Sequence, residues 1–195
     1  MEPSLTVLTH KFPRVFYITI SAIFLSGILF AGQSLGETGK EIDAKADAAL
    51  NGFYKYVKDG REVARRAKGL LILPSVKKGA FIIGGEYGRG VLRTGGKSVD
   101  YYSMISGSVG LQIGGQAKDI IIAFNSDDAL KQFRNSKGWE AGVDGNVALI
   151  TVGAGESAIT AMAKQPIVAF VFDVKGLMAD MSIRGAKFSK LDLSK

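Results

Sequence analysis

The densest chemistry-bearing stretch of the chain is basic. Lys55, Lys58, Arg61, Arg65, Arg66 and Lys68 stand against Asp59 and Glu62 alone, a net +4 within fourteen residues. Phe53, Tyr54 and Tyr56 lie beside it, and Lys77 and Lys78 follow closely. Cations interleaved with aromatic rings suit an anionic membrane surface, where charge attracts phosphate and apolar rings enter the headgroup layer. The same residue types also suit nucleic-acid phosphates and stacked bases. A solvated helix face whose apolar stripe packs on a core would carry the same pattern.

Other motifs are weaker. Gly96-Lys97-Ser98 ends like a phosphate-binding P-loop, but the spacing demands a glycine where Val91 stands. Thr94-Gly95-Gly96-Lys97 reads better as a hairpin turn. Gly153-Ala154-Gly155-Glu156-Ser157-Ala158 follows an apolar run, and Asp173 lies twenty positions after Gly153, the spacing of a dinucleotide-binding unit. The competing reading is two strands joined by a helical stretch, Ser157 to Lys164, with no cofactor. Too little chain follows to supply the remaining parallel strands. Asp127 and Asp128 are adjacent, as helix N-terminal charges are.

Residue types that are missing exclude whole classes of chemistry. The 195 residues include no cysteine, so there is no disulfide framework, cysteine nucleophile or cysteine zinc site. The single histidine is His10. If it lies in a removed or membrane-bound leader, histidine acid–base chemistry is lost as well. A serine–lysine pair remains open in principle, but no spacing fixes one. No Asp-rich loop offers oxygen ligands to a metal. No catalytic residue, no metal and no cofactor is expected.

The elements that must position the basic stretch are legible from periodicity. Ile42, Ala46, Ala49, Leu50, Phe53 and Val57 fall on one stripe of a helix spanning Glu41 to Lys58. A short second helix follows, with Asp59 and Glu62 in capping-box spacing and Gly69 as a left-handed stop. From Leu70 the pattern turns to strands over 70–73, 80–92, 99–106, 108–116, 119–124, 146–154, 167–174 and 176–183. Asn125 to Asp128 caps a short helix whose inward face is Ala129, Leu130 and Phe133. Glycines inside strand runs, Gly84, Gly85, Gly88 and Gly90 among them, mark bends and close backbone approach. The expected fold is α+β, with N-terminal helices packed on a strongly curved, Gly-rich, mainly antiparallel sheet or small barrel.

Residues 1–34 read as a signal peptide or N-terminal membrane anchor, and 35–195 as the domain. Lys11 and Arg14 precede an uncharged run, Val15 to Ala31, whose length falls between a signal core and a spanning helix. The expected location is exported: periplasmic or cell envelope, with an inner-membrane anchor if the leader is retained. Removing the leader lowers the net charge from +7 to +6, which still favours an anionic partner. Export would also keep the chain from nucleic acid.

The stretch from Arg66 to Gly85 (RAKGLLILPSVKKGAFIIGG), followed by Tyr87-Gly88-Arg89-Gly90-Val91-Leu92, resembles the opening signature of the SYLF domain family. Gly107 to Gln116 resembles its central glycine–glutamine motif, Asp119 to Ile122 and Ala129 to Phe133 the strand and helix after it, and Lys175 to Ala179 its late Lys-Gly-Leu element. The resemblance covers roughly residues 43–192. Two places depart from it: Ala179-Asp180-Met181-Ser182 replaces a Gly-rich stretch, and Asp100 to Ser103 replaces a Trp-Ser-Pro. The resemblance implies a compact α+β lipid-binding module without catalytic residues. Carried onto this chain, it implies lipid contacts at Lys55, Lys58, Arg61, Arg65, Arg66 and Lys68, with Phe53 and Tyr54 as apolar contacts. The expected function is non-enzymatic binding of anionic phospholipid headgroups at a membrane surface. The alternatives are a structural or partner-binding envelope protein, and a nicotinamide-dependent enzyme using Asp173.

Overall fold

The computed structural model describes residues 37–79, 84–108, 116–151, 157–175 and 183–193. The leader, most of the Gly107–Gln116 motif, Gly153–Glu156 and nearly all of the strand expected over 176–183 lie outside the described residues.

Helix α1 (Gly39–Tyr56) opens the described chain, followed by α2 (Gly60–Arg66). Strands β1 (Gly69–Gly79), β2 (Gly84–Thr94), β3 (Lys97–Ser108) and β4 (Gln116–Phe124) come next. Then follow α3 (Asp127–Asn135), β5 (Trp139–Glu140), β6 (Ala148–Thr151), α4 (Ala158–Lys164), β7 (Ile167–Lys175) and β8 (Lys187–Leu191). All eight strands join one sheet in the order β5-β8-β3-β2-β1-β4-β7-β6, curled into a half-barrel. Every pairing is antiparallel except β6 with β7, which run parallel on either side of α4. The expected α+β fold with helices on a curved, mainly antiparallel sheet is what forms. The parallel β6-α4-β7 crossover is an addition to it.

The curl has a local cause. The register of β1 shifts between Ile72 and Lys77 against β2, and between Leu73 and Val76 against β4. Pro74, which cannot donate to a ladder, sits inside that break. On β2, a Cβ at Gly90 would lie 2.1 Å from the Ile72 carbonyl oxygen. Only glycine lets the two backbones come this close. The β2–β3 hairpin closes through Gly95 and Gly96, with φ of 57° and 77°. Positive φ at both central residues gives the turn the twist its strands need. The Gly96-Lys97-Ser98 segment is therefore a turn and strand start, as its hairpin reading expects.

Each face of the sheet has its own core. Helices α1, α2 and α4 cover one, where Ile42, Ala46, Phe53 and Val63 meet Ile72, Val91, Ile121, Phe170 and Phe172. Helix α3 covers the other, capped by Ser126 Oγ, which accepts from Ala129 N–H at 3.2 Å as expected. Its Phe133 ring lies 4.7 Å from Tyr102, 4.8 Å from Phe124 and 5.4 Å from Trp139, centroid to centroid. At one end this second face turns polar, and buried Lys118 donates to Glu86 across 2.9 Å.

Two expectations about α2 are corrected. Asp59 occupies the N-cap position, but its φ of 64° is left-handed and its side chain makes no capping bond. Gly69 is not a left-handed stop: α2 ends at Ala67 in extended conformation, and Gly69 begins β1. Its missing side chain makes room for Leu130, whose Cδ1 lies 2.8 Å from where a Cβ would stand. Strands β5 and β8 are further elements that periodicity does not announce.

Phe133→Ala should lower stability by about 3–5 kcal/mol, because four ring contacts are lost and the rigid sheet cannot collapse into the gap. Chemical denaturation with an unchanged slope is the check.

Candidate functional site

The basic stretch sits on the end of α1, the connection after it, and α2. A capping box starts α1: the Thr38 hydroxyl accepts from Glu41 N–H, and the Glu41 carboxylate accepts from Thr38 N–H at 2.7 Å. Asp43 then fastens the helix to the β2–β3 hairpin. It accepts from Ser98 Oγ at 2.6 Å and Tyr101 Oη at 2.8 Å, while Arg93 donates to Asp47 at 2.6 Å. Burial would raise the Asp43 pKa, but the bonds from Ser98, Tyr101 and Arg93 outweigh it and hold the carboxyl below its ordinary range.

That fastening decides which residues face outward. Phe53 is fully buried, with its ring 5.2 Å from Phe170 and 5.6 Å from Phe172. The expectation that it touches lipid is therefore corrected: the apolar stripe of α1 is consumed by the sheet. Tyr54 is half-buried beneath the Arg61 guanidinium, 4.6 Å from the ring centroid. Lys55 is exposed and lies 5.5 Å from the ring centroid of Tyr56. Lys58 is exposed on the turn between the helices.

Arg65 and Arg66 are both exposed and share one acid. Arg65 reaches both oxygens of Glu62 at 2.8 and 2.6 Å, and Arg66 donates to it at 2.5 Å. Hydrogen bonds from Arg65 and then Arg66 pull the Glu62 carboxyl down to about 2, so it stays ionised through the physiological range. Lys68 lies 3.5 Å from Asp127 at the start of α3. All six expected cations thus reach solvent on one continuous segment. Exposed ion pairs hold weakly in water, so phosphate oxygens can displace Glu62 from either guanidinium.

A cleft of about 470 Å³ opens beside the end of α1, lined by Lys55 and Tyr56, Ser75, Asp119, and Asp173 with Lys175. Ser75 and Asp173 have φ of 49° and 47°, unusual for residues with a side chain. Burial raises the Asp119 pKa, opposed by the bond it accepts from Ser75 N–H at 2.8 Å. Asp173 pairs with Lys175 at 3.3 Å. The acid singled out for nucleotide ribose thus ends a strand parallel to β6, but it is held by a neighbouring lysine. Among the described residues, no group of three or more His, Cys, Asp or Glu could hold a metal. Nor is any described helix long and apolar enough to cross a membrane.

Sequence reasoning missed the cleft, because register shifts in β1 and β7 create it and no spacing rule reports them.

Residues 105–192 match a family model described as Ysc84, the Las17-binding protein actin regulator. This span runs from the end of β3 past β8, and is consistent with the SYLF resemblance read from the sequence. No curated protein matches the chain.

Glu62→Gln should free both guanidiniums and raise the charge of the segment by one. The variant should elute from heparin at higher salt than the parent chain, with unchanged circular dichroism.

Proposed function

With a Ysc84, or SYLF, domain over residues 105–192 as the premise, we propose that the chain is a non-enzymatic protein that binds anionic phospholipid headgroups at a membrane surface. One observation carries the reading. Six cations on α1, α2 and their flanks face solvent against two acids, while the apolar stripe of α1 is buried in the core. The segment therefore attracts phosphate without inserting, as a peripheral electrostatic contact. Tyr54 and Tyr56 hold Arg61 and Lys55 over their rings and limit the freedom those cations lose on binding.

Export to the periplasm or cell envelope belongs to the same proposal. It is supported by the uncharged run from Val15 to Ala31 behind Lys11 and Arg14. The family description supports a second reading, in which the chain binds a protein partner. That reading predicts retention of one specific protein in pull-downs and vesicle binding no better than that of other basic proteins.

Replacing Arg65→Glu together with Arg66→Glu takes the local charge from +4 to zero. Affinity for vesicles rich in anionic lipid should fall at least about tenfold at low salt, and its salt dependence should flatten. Co-sedimentation at two salt concentrations measures both. Unchanged affinity and slope would remove the basic segment from the function.

A further inference from the structure

Burial of Phe53 leaves the basic segment only the Tyr54 and Tyr56 rings as apolar contacts, and the sheet register supplies more. Lys175, Ala117, Lys77, Tyr87, Ile105 and Lys187 are successive cross-strand partners on β7, β4, β1, β2, β3 and β8. Directly opposed residues share a face, so the six form one row across the sheet. It is the face that α1 covers further along, since Val91 on β2 and Tyr101 on β3 pack there, an even number of residues away from Tyr87 and Ile105. Beyond the helices, no described element covers that face. Tyr87 is 45% exposed and Ile105 59%.

A single exposed apolar residue needs no explanation, but two directly opposed and framed by cations do. Lys77 flanks Tyr87 and Lys187 flanks Ile105, both exposed. The Arg89 guanidinium lies 5.9 Å from the Tyr87 ring centroid, and its Nε donates to the Tyr87 hydroxyl at 2.6 Å. The next rung outward is Gly85 opposite Gly107, which has no side chain to shield the pair. The described acids nearest the row stand toward its ends. Asp119, two residues along β4 from Ala117, lines the cleft with Lys175 and accepts from Ser75 N–H. Asp173 pairs with Lys175, and Glu140 on β5 lies opposite Lys187. Glu86 and Asp100, on the same strands, are buried.

We propose that this row is a second membrane contact, at which Tyr87 and Ile105 enter the interfacial layer of an anionic bilayer while Lys77, Lys187 and Arg89 reach its phosphates. The proposal rests on the lipid-binding reading above and adds a further apolar anchor to it, since Phe53 is buried. Charge complementarity selects the occupant: an apolar pair ringed by cations with no acid between them fits anionic lipid, and long lysines extend toward phosphate while the pair is buried. Continuity supports it too, because Lys175 at one end of the row lines the same cleft as Lys55 and Tyr56.

The chain has no cysteine, so one introduced thiol is a unique probe in the full-length protein. Ile105→Cys, Arg65→Cys and Val143→Cys, the last at a site 73% exposed outside the row, would each carry an environment-sensitive fluorophore. Vesicles of phosphatidylcholine alone and with phosphatidylglycerol would be added. The expected result is a blue shift at position 105 with the anionic vesicles only, quenched by a lipid-borne quencher, with no shift at 143. A response at 65 but none at 105 would overturn the row and leave the basic segment standing. No response at any position would sink both readings. An equal shift at 143 would mean non-specific insertion, and a shift at 105 on raising protein concentration without lipid would assign the row to a second copy of the chain; either overturns the proposal. As an unlabelled check, Tyr87→Ser with Ile105→Ser should weaken anionic-vesicle binding about three- to tenfold and leave its salt slope unchanged. An altered slope with no loss of affinity would count against it.

Discussion

The close passage of β1 over Gly90 is the constraint on which the rest depends. Because the Ile72 carbonyl occupies the space of a Cβ, β1 can break register at Pro74 and the sheet can curl. A flat sheet would need two further layers to cover its faces. The curled one needs only a single short helix on one side, where Phe133 fills the hollow among Tyr102, Phe124, Trp139 and Phe188. The other side is left to α1, α2 and α4. The same break in β1 opens the cleft beside α1 and puts Ser75 in its left-handed conformation.

Burial of α1 in turn sorts the basic stretch. A helix with one apolar stripe can give that stripe to a membrane or to its own sheet, and here Phe53 gives it to Phe170 and Phe172. What reaches solvent is charge, half-buried Tyr54 and exposed Tyr56. Among the described residues, the helices then present mainly charge, and the sheet beyond them presents an apolar pair framed by cations.

How much of this could be read in the sequence follows from the range of the forces involved. The stripe from Ile42 to Val57 has a strong period, and α1 forms where that period predicts. Ser126 caps α3 because its partner is three residues away. The Gly95–Gly96 turn is equally local. Asp59 and Gly69 failed as caps because tertiary contacts override them: the chain must turn at Asp59 to bring Val63 into the core, and Gly69 must admit Leu130. Strands β5 and β8 are short, and they exist because β3 offers β8 an edge, β8 offers one to β5, and Trp139 and Phe188 fill a hollow in the core. The cations were legible as a cluster, but whether Phe53 joined them depended on a partner more than a hundred residues away. The row through Tyr87 and Ile105 is a property of register between six strands and has no signature along the chain.

The order of the strands has a further consequence for how the molecule comes into being. The four central strands are contiguous in the chain, from Gly69 to Phe124, whereas β8 on one flank and β7 with β6 on the other are built from residues after 124. As the polypeptide grows from its N-terminus, β3 and β4 each present an unpaired backbone edge until the last third of the chain arrives. Open edges pair with whatever strand they meet, including those of a neighbouring copy. The C-terminal third is thus a guard against misassembly, and a chain ending at Phe124 would keep its basic helices while exposing two adhesive borders.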